Sequence, residues 1–179
     1  DRNPEKPKYI FAATMLNHGP HSSFFPDNIG CGKLMNDKLC SKLNDYIARL
    51  TRTSEDQIDL IEKLMKRKRK TIIVNFGDHL PSFEGYSTQL RFTRDIKDYY
   101  KTFYNIHANF EITDKTKYNS LDIAFIPSLI LDMAHLNNND FYRASSIIRR
   151  NCSGAITHCV GQNAKLDKLL ESYKSLTVK

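Results

Sequence analysis

The chain has 179 residues and a formal net charge of +7, with 40% hydrophobic and 26% charged residues. That length suits one domain or a large part of one, and the composition excludes a disordered, collagen-like or fibrous chain. No apolar run approaches the ~20 residues that cross a bilayer, and no charged start followed by an apolar stretch has the pattern of a signal peptide.

The first residue is Asp1 rather than methionine, so the expectation is a piece of a longer protein, with any anchor or export signal upstream. Residues 8–16 form a short, nearly continuous apolar run that stops at Asn17, His18, Gly19 and Pro20. This predicts a buried strand entering a loop. Leu39, Leu43, Tyr46, Ile47 and Leu50 recur at helical spacing, and Ile58, Ile61 and Met65 do so again. Two helices, or one bent helix, are expected, with Ser54 and Gln57 as a capping box opening the second piece. Five consecutive cations, Lys66 to Lys70, end this pattern, where positive charge complements a helix C-terminus. Contact with phospholipid head groups is the alternative reading of the run. Nucleic acid is not expected as a partner, because no RNP-like, zinc-finger or helix-turn-helix pattern accompanies the charge.

Residues 71–76 are rich in β-branched side chains and end at Gly77, Asp78, His79, Leu80 and Pro81, a strand that stops at a glycine-bearing turn. A third strand is expected within 102–110, and helices over 127–134, 140–149 and 164–176, the first with Pro127 tolerated in its opening turn. Strands separated by helices give an α/β fold: a layered, mostly parallel sheet flanked by helices. The first two strands are expected to pair in parallel across the long helical crossover.

Cys31 and Cys40 form one close pair in sequence, and Cys152 and Cys159 another. Four cysteines permit three connectivities, of which neighbour pairing closes the shortest loops. Neither pair has the tight C-x2-C spacing that grips a zinc ion. Disulfides would place the chain in an oxidising compartment.

Ligand sites of open α/β sheets lie beyond the carboxyl ends of the strands, which is where Asn17-His18 and Asp78-His79 both fall. The two turns would converge if their strands were parallel neighbours. Asp78 and His79 offer a carboxylate oxygen and an imidazole nitrogen, donors suited to zinc or manganese. Gly77 permits the tight backbone path. The plainer reading stands beside this one: an Asp after a strand often forms a turn, and a lone histidine is often a satisfied surface group. His21, His107, His135 and His158 show no clear partners in sequence.

The segment from Ile72 to Ser82 resembles the Gly-Asp-His-Leu-Pro segment of lipoteichoic-acid-synthase-like and osmoregulated-glucan phosphoglycerol transferases. Met15 to Pro20 is similar to the strand and Asn-His turn of those enzymes and of the phosphoethanolamine transferases. The helical stretch from Tyr46 to Lys66 and the Pro127-Ser128-Leu129 helix start follow in family order, so the likeness covers about residues 8 to 136. It implies an alkaline phosphatase/sulfatase-like fold, with residues 1–179 as the C-terminal part of an extracytoplasmic catalytic domain. That domain would sit at the periplasmic face of the bacterial inner membrane, below an upstream membrane anchor.

The resemblance further implies a metal-dependent transfer of phosphoglycerol or phosphoethanolamine from phospholipid to an envelope glycan or lipid acceptor. Asp78 and His79 would be ligands of manganese or zinc, and His18 would bind the phosphate or the leaving oxygen. The family's threonine nucleophile and its other acidic ligand belong to segments before residue 8. Thr14 does not match the nucleophile motif, so this chain alone is expected to turn over nothing. A sulfatase or phosphodiesterase hydrolase, or a noncatalytic binding domain on the same scaffold, are the alternative readings.

Overall fold

A computed structural model describes residues 6–21, 37–81, 100–112, 116–136 and 139–177. The chain divides into two compact units, one of residues 1–63 and 79–103 and the other of residues 64–78 and 104–179.

In the first unit, helix α1 (Asp37–Met65) is continuous over 29 residues, roughly 43 Å at 1.5 Å per residue. No break occurs at Ser54: its hydroxyl donates to the Leu50 carbonyl one turn back, 2.9 Å, so it acts as an interior helix residue rather than a cap. Exposed pairs, Arg52 with Glu55 and Asp56 and Lys63 with Asp59, lace the far side of the helix. The buried positions Leu39, Asn44, Asp45, Ala48 and Thr53 are partly polar.

Residues 8–16 adopt no strand. Tyr9 is 84% and Ile10 83% exposed, and the run pairs with no other segment among the described residues. The strand expected over residues 8–16 is therefore not formed. The physical reason is that an apolar run becomes a strand only where a neighbour satisfies its N–H and C=O groups.

The second unit contains the described sheet, in which β1 (Ile72–Phe76) pairs antiparallel with β2 (Tyr104–Ala108) and Val74 lies opposite Ile106. Asn75 donates across to Asn105, 2.9 Å. Asn109, just beyond β2, fixes the cationic turn that precedes β1. Its amide nitrogen donates to the carbonyls of Arg67 and Arg69, and its oxygen accepts from the Thr71 N–H, 2.7 Å. Lys70 lies over the Phe110 ring, 5.4 Å from its centre.

A single-turn 3-10 helix (Ile123–Phe125) runs into α2 (Ile126–Met133), with Pro127 in the opening turn where no intrahelical N–H is required. Helix α3 (Asp140–Asn151) is capped by the Asn139 side chain, which accepts from Tyr142 N–H, and α4 (Ala164–Thr177) follows. Phe125, Ile148, Cys152, Cys159, Leu170 and Tyr173 form the core of this unit. Cys152 and Cys159 are disulfide-bonded across that core. Cys40 is also disulfide-bonded, while Cys31 lies outside the described residues. Inside the loop closed by the disulfide, Gly154 has φ +94, and a Cβ there would lie 2.3 Å from the Ser120 carbonyl oxygen, so only glycine fits. Helices with a sheet in this arrangement are α/β, and the strand pair described is antiparallel. No helix among the described residues is long and apolar enough to cross a membrane.

Candidate functional site

On α1, Asp45, Arg49 and Thr53 follow one another at four-residue intervals and so share a face. All three hold the segment that carries His18. Arg49 Nη1 donates to the Leu16 carbonyl, 3.2 Å, and Thr53 Oγ1 donates to Asn17 Oδ1, 2.9 Å. Asp45 Oδ2 forms an ion pair with Arg49, 2.9 Å from its Nε, and stands 3.5 Å from Nδ1 of His21. Asp45 is fully buried and His21 nearly so. The His21 ring meets Tyr46 edge to face, 5.4 Å between centres.

Burial is the main influence on His21 and holds it below its ordinary titration range. Arg49 and His18 push the same way, and the Asp45 carboxylate opposes them. The Tyr46 hydroxyl is raised by burial. The arrangement is a polar clamp under the turn: four side-chain contacts from one helix fix residues 16 to 21.

His18 itself is exposed at the top of that turn. Its N–H donates to the Met15 carbonyl, 3.1 Å, and its Nδ1 donates to the Gly19 carbonyl, 2.7 Å. A carbonyl can only accept, so Nδ1 carries a proton and Nε2 is the ring nitrogen on the other side.

Asp78 and His79 follow the carboxyl end of β1 and are both exposed. His79 repeats the arrangement of His18, with Nδ1 donating to the carbonyl of the next residue, Leu80, at 2.8 Å. That bond orients the ring and assigns Nε2 as its ligating nitrogen, the usual division of labour in a metal-binding imidazole. One carboxylate and one imidazole fit a divalent zinc- or manganese-type ion. Among the described residues no group of three His, Cys, Asp or Glu side chains is placed to hold a metal. The strand expected to lead into the His18 turn is not formed, and His18 and Asp78 fall in different units of the chain.

His21, Asp45, Arg49 and Thr53 carry the geometry under His18 and were not legible as a group. The helical spacing of Asp45, Arg49 and Thr53 was visible. The partners Leu16, Asn17 and His21 stand at least 24 positions earlier and show no periodic link to them.

The chain is 23% identical over 146 residues to an uncharacterized protein of Haemophilus influenzae (strain ATCC 51907 / DSM 11121 / KW20 / Rd). The match covers 81% of this chain and 26% of that relative, so the chain spans about a quarter of the relative's length. No solved structure matches it. The family model described as Sulfatase matches residues 1–129, which takes in the His18 turn, α1, β1 and the Asp78-His79 pair. This chain therefore belongs to the Sulfatase family, within the alkaline phosphatase superfamily.

Proposed function

We propose that the longer protein containing this chain moves a phospholipid-derived phosphoglycerol or phosphoethanolamine group to a cell-envelope glycan or lipid. The observation that carries this reading is the matched pair of exposed histidines. His18 and His79 each donate Nδ1–H to the following carbonyl, and in this reading Nε2 is the nitrogen of each that meets a phosphate or a metal. Family membership supports chemistry on a phosphate or sulfate ester, and the resemblance of the two turns to lipid head-group transferases supports the narrower substrate.

In this reading Asp78, through a carboxylate oxygen, and His79, through Nε2, hold a manganese or zinc ion. A bound divalent cation supplies charge stabilisation for a transferred phosphate. His18, protonated at Nε2, donates to a phosphate oxygen or to the leaving oxygen while Gly19 keeps its Nδ1–H oriented. The nucleophile and remaining ligand come from segments before this chain, so the 179 residues alone turn over nothing. The disulfides of the described residues support an oxidising location, which we read as the periplasmic face of a bacterial inner membrane.

The test is diacylglycerol release from labelled phosphatidylglycerol and phosphatidylethanolamine by the full-length protein, with and without a hydroxyl acceptor. Release that depends on acceptor and metal supports the transferase. Release of the head-group phosphate to water alone reassigns the protein as a hydrolase, and no release from either lipid removes the lipid donor from the account.

A further inference from the structure

We infer that Thr53 and Arg49 of α1 are positioning residues for His18, so that the helix sets where the His18 imidazole meets the transferred group. This rests on the role proposed for His18. The observations are geometric. Thr53 is buried and its hydroxyl donates to Asn17, the residue immediately before His18. Arg49 donates to the carbonyl of Leu16, one residue earlier. Asp45, fully buried, pairs its charge with the Arg49 guanidinium, 2.9 Å from Nε, and so holds near it the group that makes the Leu16 contact. None of these three side chains is needed to form the helix. Asp and Thr are poor interior helix formers, and each is placed where its polar atom reaches the loop rather than solvent.

The chain just before His18 is thus tied to the helix at two successive residues, through the Leu16 carbonyl and the Asn17 side chain. His18 keeps its own orientation through Nδ1 and Gly19. The helix contacts fix the position of the turn, and the Gly19 bond fixes the direction of the ring upon it. Reacting groups misplaced by about 1 Å can cost ~100-fold in rate, so loosening either tie lowers turnover without removing a group that touches substrate. Because the substrate's other contacts are untouched, the loss falls on kcat more than on KM.

A double-mutant cycle in the full-length protein tests this, with diacylglycerol release from phosphatidylglycerol or phosphatidylethanolamine vesicles as the readout. His18→Gln is expected to lower kcat by about 100-fold, the lower end for a positioned proton donor. Thr53→Val is expected to lower it about 10-fold with KM little changed, and Thr53→Ser, which keeps the hydroxyl, to restore it. In the His18→Gln background Thr53→Val should change kcat less than about 2-fold, because it acts through a side chain no longer present. Arg49→Lys is the second variant and should show the same loss of effect. Hydrogen exchange over residues 15–19 of the variants, faster for Thr53→Val and normal for Thr53→Ser, reads the tie independently of activity.

Fully additive losses in the cycle, or exchange over 15–19 unchanged by Thr53→Val, overturn the positioning role while leaving the transferase reading intact. Wild-type kcat in His18→Gln removes the role of His18 and the inference with it.

Discussion

Asp132 and Arg149 make a pair whose two halves are unequal, and the inequality gives a quantitative expectation. Arg149 on α3 is fully buried. Its Nη2 donates to Asp132 Oδ2, and its Nη1 donates to the Tyr118 hydroxyl at 2.7 Å. Asp132 on α2 also accepts from Arg150 and from Ser146, each at 2.9 Å. Removing the carboxylate by Asp132→Ala leaves a buried guanidinium with no opposite charge, which costs about 3–5 kcal/mol. Removing the guanidinium by Arg149→Met leaves Asp132 with a second arginine and a hydroxyl, and the methionine fills much of the space. That change should cost under about 2 kcal/mol. In urea, with a slope of about 2 kcal/mol per M, the midpoint falls by about 2 M for Asp132→Ala and by less than about 1 M for Arg149→Met. Equal losses, or a larger loss for Arg149→Met, would refute the argument that the buried charge, rather than the contact, sets the cost.

Replacing Cys152 and Cys159 together by alanine opens a loop with a sequence separation of 7, which by chain entropy removes about 2.5 kcal/mol. Urea unfolding of the double variant beside the oxidised protein checks this, and a loss under about 1 kcal/mol contradicts it. His21 gives a pH dependence. Burial chiefly, with Arg49 and His18, holds it below its ordinary value of 6.5 against the pull of Asp45, so the unfolded chain takes up its proton first. The stability contributed by neutral His21 is therefore present above 6.5 and is lost as the pH falls from there through the lowered folded value. Thermal unfolding followed by exchange protection of α1 and residues 15–21, between about pH 5 and 8, should show that slope, and His21→Gln should flatten it. An unchanged slope in the variant assigns the pH dependence elsewhere.

The helices of the second unit were readable because their signals are local. Apolar spacing with Pro127 in the first turn gave α2, and simple 3.6-residue periodicity gave α3 and α4 to within a few residues. The β-branched run 71–76 and the looser alternation of 102–110 gave β1 and β2. Their antiparallel sense depends on which strand lies beside which, and that is not a property of either run. Residues 8–16 show the same limit from the other side: an apolar run states what it prefers to bury, not whether a partner strand is there. Ser54 and Gln57 have the letters of a capping box, yet the Leu50 carbonyl one turn back takes the hydroxyl and the helix continues.

At the site, Asp78, His79 and the His18 turn stood out because glycine, proline and the strand ends mark them locally. His18, Asp78 and His79 are all exposed. The support beneath His18 was hidden because His21 and Asp45 meet only through the fold. The carbonyls that orient His18 and His79 are backbone atoms that every residue has, so no sequence signal distinguishes them.

In the function proposed for the longer protein, Asp78 and His79 hold the metal on which phosphate transfer depends. Its most direct test is diacylglycerol release by the full-length protein as manganese or zinc is titrated, comparing the native protein with Asp78→Ala and His79→Ala. Release is expected to depend on the metal, to be abolished in Asp78→Ala and severely reduced in His79→Ala, with folding of both variants little changed because both residues are exposed. Native turnover and native metal dependence in either variant would contradict it.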